Sequence, residues 1–273
     1  MTHPSGRRSR GLVSFLAVAW AGTLLLAAPA QAGTPPTPAG QPGPAEDHEM
    51  GSQIRKHEGQ QRGLPLLDPQ ATVEGIDVSS HQGEVDWGSY AAQGKKFAYA
   101  KATEGTGYTN PHFAQQYDGS YAAGMVRGAY HFALPNASSG ADQANYFVDH
   151  GGGWSGDGRT LPGALDVEYN PYGDTCYGMS QDAMAAWIED FSTTYQARTG
   201  RYPVIYTSAQ WWNQCAGGSF ADTNPLWVAR YADSVGELPS GWLTHTIWQY
   251  SSDPIDQNAF NGSESDLQEL ATG

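Results

Sequence analysis

Short apolar runs rich in β-branched and aromatic residues recur along the chain from Thr72 onward. They cover Val73–Val78, Phe97–Ala102, Val126–Phe132, Ala164–Glu168, Val204–Thr207, Leu226–Tyr231 and Thr246–Tyr250, with a weaker run near Ile255. Between the earlier runs lie segments with helical spacing. Met184, Trp187, Ile188, Phe191 and Tyr195 follow the three-and-four rhythm of one helix face, with Ser180 as its N-cap and Gly200 as its stop. Asn110-Pro111 reads as an N-cap and first turn of a helix ending near Gly124. Further helices are expected near Ala141–His150 and Ser265–Leu270. Strands alternating with helices predict a parallel α/β fold, and about eight strands predict a barrel. The helices thin out after Gly200, so the barrel is expected to be irregular there.

The N-terminal pattern is different. Arg7, Arg8 and Arg10 precede an apolar stretch from Leu12 to Ala28, and Ala30-Gln31-Ala32 is a small-x-small cleavage site. This is the layout of a secretory leader over residues 1–32. Sec and twin-arginine export both remain open. Residues 33–70 carry Pro35, Pro36, Pro38, Pro42 and Pro44 and then a polar run, with no apolar periodicity. They read as a Pro/Gly-rich linker or an arm with little fixed structure. The folded domain is expected over 71–273.

Composition narrows the function. Only 15% of residues are charged and 12% are aromatic, with a net charge of −14. That becomes −17 once the three arginines of the leader are removed. Such acidity argues against nucleic acid as a partner, because phosphate binding needs a basic footprint. No other apolar run is long enough to span a bilayer, so no membrane contact is expected after cleavage. A monomer is expected.

The chemistry gathers at strand ends. Asp166 and Glu168 stand two apart in Ala164–Glu168, so they share one face, with Cα atoms roughly 6.6 Å apart at strand rise. Burial and mutual repulsion should raise the pKa of one of them, the condition for glycosidic cleavage. Asp77 ends the first run and Asp256 follows the seventh, at the mouth where barrel chemistry is built. Glu104 is a fifth acid, with Lys101 as a candidate ion-pair partner. Aromatics at the same ends offer sugar-stacking platforms. Tyr130, Tyr206, Trp227 and Tyr231, together with Glu104 and Gln249, are the candidates for substrate contact. His131 is expected in the wall of the site.

An ordered set of motifs carries a resemblance. These are Gly75-Ile76-Asp77-Val78-Ser79, Phe97–Gly105, Arg127–Phe132, Leu165-Asp166-Val167-Glu168, Val204–Ser208, Trp248-Gln249-Tyr250-Ser251 and Asp256–Gly262. Together they resemble the glycoside hydrolase family 25 lysozymes, the Chalaropsis-type muramidases, from about Val73 to the C-terminus. The resemblance implies a flattened, modified TIM-like β/α barrel whose last strands lack regular helices. It implies hydrolysis of the β-1,4 bond between N-acetylmuramic acid and N-acetylglucosamine in peptidoglycan. Glu168 would be the general acid/base and Asp166 would assist the 2-acetamido group. Asp77 and Asp256 would support the site electrostatically, and Tyr130 would contact the sugar. Ala100 departs from the family pattern, which has a larger aliphatic residue there. The competing readings are a chitinase-like or endo-N-acetylglucosaminidase hydrolase and a non-catalytic glycan-binding barrel.

Cys176 and Cys215, 39 residues apart in a secreted chain, are expected to form one disulfide contributing roughly 4 kcal/mol. No metal-binding spacing or phosphate loop is present, so neither metal nor cofactor is expected.

Overall fold

Alternation of inward and outward side chains organises the barrel. The structure, a computed structural model, describes residues 47–60, 65, 67 and 72–273, all within one compact unit that starts at Thr37. The expected leader, residues 1–32, lies outside the described residues, as does most of the arm. Helix α1 (Ser52–Glu58) precedes strand β1 (Thr72–Val78). Then come α2 (Trp87–Ala92), β2 (Phe97–Glu104), β3 (Tyr108–Thr109), α3 (Phe113–Ala122), β4 (Val126–Phe132) and α4 (Gly140–Phe147). Strand β5 (Ala164–Asp166), helix α5 (Gln181–Thr199), β6 (Val204–Thr207), α6 (Ala209–Cys215) and β7 (Leu226–Ala229) follow. Strands β8 (Ile247–Ser251) and β9 (Asp256–Asn261) and helix α7 (Glu264–Thr272) complete the chain.

Eight strands close on themselves in the order β1-β2-β4-β5-β6-β7-β8-β9, and β3 hangs on β2 as a hairpin edge. The fold is thus the TIM-like α/β barrel expected from the sequence. Seven of the strands run parallel, whereas β9 runs antiparallel to both β8 and β1. No helix of the described residues separates β7 from β8 or β8 from β9, which matches the thinning in the sequence.

On β1, Asp77 points into the barrel while Ile76 and Val78 join Ala98, Ala100, Met125 and Trp87 in a cluster under α2 and α3. Ala100 therefore packs on the outer layer, so its departure from the family pattern does not reach the mouth. On β4, Gly128 makes room for Tyr99. A Cβ there would lie 2.2 Å from the Tyr99 ring. Helix α5 has the expected ends: Ser180 accepts from the Ala183 N–H, and Gly200 closes it with φ 82°.

Some expectations shift. Helix α3 starts at Phe113 rather than Pro111. Asn110 instead ties the entry turn, donating to Lys101 O and Gln116 Oε1 and accepting from the His112 N–H. Strand β5 ends at Asp166, but one more ladder bond, from Val167 N to Tyr206 O at 3.0 Å, carries the extended chain toward Glu168. His131 is not in the site wall. It faces the helix layer, stacked on Phe191 and held by Thr103 and Gln143, because its neighbours Tyr130 and Phe132 take the inward positions. Within the segment read as an unstructured arm, residues 52–58 form helix α1.

Candidate active site

Strand ends deliver the acids to one mouth. Asp77, Asp166, Glu168 and Asp256 are each 4% exposed or less. Asp77 stands one residue before the end of β1 and Asp256 begins β9, and the two are register partners. Because β9 is antiparallel, its first residue stands at the same end as the last residues of the parallel strands. A parallel eighth strand would have put Asp256 at the opposite end.

A hydrogen-bonded floor supports these acids. Gln249 on β8 and Asn258 on β9 both donate to Asp77 Oδ2, at 2.8 and 2.7 Å. Tyr206 donates to Gln249 Oε1 at 2.6 Å, and Tyr231 donates to the same oxygen. Trp227 lies fully buried among Tyr99, Tyr206 and Asn258, donating to Asn258 Oδ1 at 3.0 Å. It supports the floor from within the barrel.

Burial pushes Asp77 up to about 7, opposed by the Asn258 and Gln249 amides. Asp256 is pushed well above the carboxylate range by burial and by Asp77, against the pull of Arg55. Asp166 is raised well above its ordinary value by burial and by Glu168. Neither Asp166 oxygen has a hydrogen-bond partner among the described residues. Burial likewise raises Glu168, to about 8, against three backbone N–H groups that favour its ionised form.

Those three N–H groups belong to the arm. Gly51 N donates to Glu168 Oε1 at 2.7 Å, while Gln53 N and Ile54 N donate to Oε2 at 3.0 and 2.9 Å. The contacts continue on both sides. The Tyr130 hydroxyl accepts the Met50 N–H at 3.2 Å, and the Tyr231 hydroxyl lies 3.3 Å from Gly51 O. Arg55 pairs with Asp256 at 3.1 Å and also with Glu49. Lys101 holds Asp47, the His48 carbonyl and Glu104, the last at 2.6 Å. Glu58 accepts from Tyr169 and Ser208, and His57 stacks on Tyr169 at 4.2 Å. A cavity of about 390 Å³, lined by Gln210, Asn213, Arg230 and Glu237, opens where the arm ends at Glu58.

Tyr130, Tyr206, Tyr231, Glu104 and Gln249 thus converge on one mouth with the four acids, and Trp227 stands beneath. Sequence reading missed Asn258 as a partner of Asp77 and missed the arm's entry altogether. The one signal for the arm was Met50 and Ile54, four apart and fully buried, the only apolar pair in that polar run. Among the described residues no group of His, Cys, Asp or Glu is arranged to hold a metal, and no helix is long and apolar enough to cross a membrane.

Residues 76–258 match the sequence profile of glycosyl hydrolases family 25. The chain belongs to that family. It is 47% identical to Lysozyme M1 of Streptomyces globisporus, over 96% of this chain and 92% of that protein. It is 49% identical to the N,O-diacetylmuramidase of a Chalaropsis species, over 74% of this chain and the whole of that protein. The solved muramidase of Acremonium alcalophilum superposes with a TM-score of 0.73 at 56% identity, over 74% of this chain and 99% of that one. As a family 25 member the chain is a glycoside hydrolase, and the carboxylate mouth is the place in it with the groups for that chemistry. The Cys176–Cys215 disulfide ties the loop after Glu168 to the end of α6.

Proposed function

We propose that this family 25 lysozyme cleaves the N-acetylmuramic acid to N-acetylglucosamine β-1,4 bond of peptidoglycan outside the cell, with Glu168 as general acid/base. The observation that carries the assignment is the environment of Asp166 and Glu168. The two acids stand together at one strand end, and burial with Glu168 beside it raises Asp166, so the pair keeps a proton near neutral pH. Glu168 gives that proton to the leaving oxygen. Asp166, with both oxygens unpartnered among the described residues, accepts the N–H of the 2-acetamido group. The acetamido oxygen then attacks the anomeric carbon, and no protein nucleophile is required. Water opens the resulting ring, with Glu168 taking its proton back. Asp77 and Asp256 support the site electrostatically as positive charge develops at the sugar. Tyr130, Tyr206, Tyr231, Glu104 and Gln249 contact the glycan. The disulfide and the leader-like residues 1–32 support an extracellular site of action.

The test is to digest peptidoglycan, reduce the new ends with borohydride and identify them. Muramitol is expected. Glucosaminitol would point to an endo-N-acetylglucosaminidase, and no new reducing end to a glycan-binding barrel. Glu168→Gln is expected to lower kcat at least a thousandfold while leaving the fold intact.

A further inference from the structure

Every acid proposed to act on substrate is buried, and what buries Glu168 is this chain's own segment 47–58. We propose that this segment is an autoinhibitory strap that occupies the glycan cleft and must leave it before the enzyme can act. Three independent features of the geometry support this reading.

First, the strap takes the reacting position. Gly51 N lies 2.7 Å from Glu168 Oε1, and Gln53 N and Ile54 N fill the other oxygen. A glycosidic oxygen must come within the same hydrogen-bond distance to receive a proton. Strap and substrate therefore exclude one another. The strap's three N–H groups favour ionised Glu168, against the burial that raises it.

Second, the fit is specific. Gly51 has φ 76°, and a Cβ on it would sit 1.9 Å from the Tyr231 hydroxyl, 2.5 Å from that of Tyr206 and 2.7 Å from Gln249 Oε1. Only glycine allows the backbone this close. On either side Arg55 engages Asp256, Asp47 engages Lys101 and Ser80, and the His48 N–H engages Glu104. The strap thus contacts two of the four acids, Glu168 and Asp256, together with Lys101 and Glu104 on β2.

Third, the strap is dispensable for the barrel. The Chalaropsis relative matches 74% of this chain over its whole length, and that share is about 202 residues, the length of Thr72–Gly273. That relative's sequence has the length of the barrel alone, whereas Lysozyme M1, matched over 96% of this chain, is long enough to carry a counterpart of the strap.

Release follows from the tether. Residues 61–71 join the strap to β1. While they are intact, the strap stays covalently joined to the barrel and rebinds as part of the same molecule. Hydrolysis of one peptide bond there by a peptidase adds one water and leaves a new carboxylate and a new amine. The strap then becomes a separate peptide that dilution removes.

The experiment uses the chain from Gly33 with a site-specific protease sequence placed within 61–71, cut after folding. Binding of a tri-N-acetylglucosamine probe is measured by calorimetry beside kcat/KM on cell walls. Cutting followed by gel filtration is expected to raise both at least tenfold. Gly51→Leu in the uncut chain is expected to give the same rise without cutting, since the leucine has no space beside Tyr231. A synthetic peptide of residues 45–60 is expected to return the freed barrel to low activity. Equal probe binding by the intact, Gly51→Leu and freed proteins would overturn the proposal. A freed barrel that binds the probe tightly but does not turn over would leave the strap standing and count against the role of Glu168.

Discussion

Lys101 and Glu104 lie three residues apart on β2, yet their side chains meet at 2.6 Å inside the barrel. A regular strand would send them to opposite faces. The ladder slips between Lys101 and Thr103, and this bulge brings Glu104 round to the inner face. Burial raises Glu104, but Lys101 and His48 outweigh it and hold its carboxyl below the ordinary range. Lys101→Met takes from the buried Glu104 and Asp47 carboxylates the ammonium they share. The variant is expected to lose about 3–5 kcal/mol of stability in urea unfolding, most of it recovered in the Lys101→Met/Glu104→Leu double variant.

Asp166 sets function against stability. Its pKa is raised by burial and Glu168, so its proton contributes stability that is lost as pH rises through the folded-state value. Asp166→Asn removes that dependence. Its unfolding free energy is expected to fall less than the wild-type value between pH 6 and pH 9. Its kcat is expected to drop about a hundredfold or more, because a neutral amide oxygen accepts the acetamido N–H more weakly than a carboxylate and brings no charge to the developing cation.

His131 acts on the acid side. Burial between β4 and the helix layer lowers it to about 4, with Gln143 and Glu104 pulling it up and Lys101 pushing it down. The folded protein holds it neutral where the unfolded chain protonates it, so stability falls as pH drops from the ordinary histidine range toward 4. The loss from this residue is about 3 kcal/mol at pH 4. His131→Gln keeps a polar group between Thr103 and Gln143 and is expected to shrink the difference in unfolding free energy between pH 7 and pH 4 by that amount.

The stereochemistry of the product separates two routes. Attack by the acetamido oxygen retains configuration, whereas direct attack by water inverts it. Proton NMR during the first minutes of digestion is expected to show the β-anomer before mutarotation. Initial α-anomer would assign a general-base role to Asp77 or Asp256 instead.

Barrel and acids were largely legible because their signals are local. Ser180, Gly200 and the apolar stripe between them mark α5, and the two-residue spacing of Asp166 and Glu168 marks the mouth. The direction of β9 was not legible, since an apolar run carries no sign of whether it runs up or down. The bulge after Lys101 leaves no mark in composition. The strap was hidden for another reason: it meets Glu168 through backbone N–H groups, which every non-proline residue has.

That same backbone grip bears on how the segment can change over time. Its hold on Glu168 runs through backbone N–H groups, whereas Asp47, Arg55 and Glu58 hold the rest of the mouth through their side chains. At Gly51 any other residue meets three hydroxyl or amide oxygens at once. A single nucleotide change in the Gly51 codon would therefore be enough to push the backbone away from Glu168.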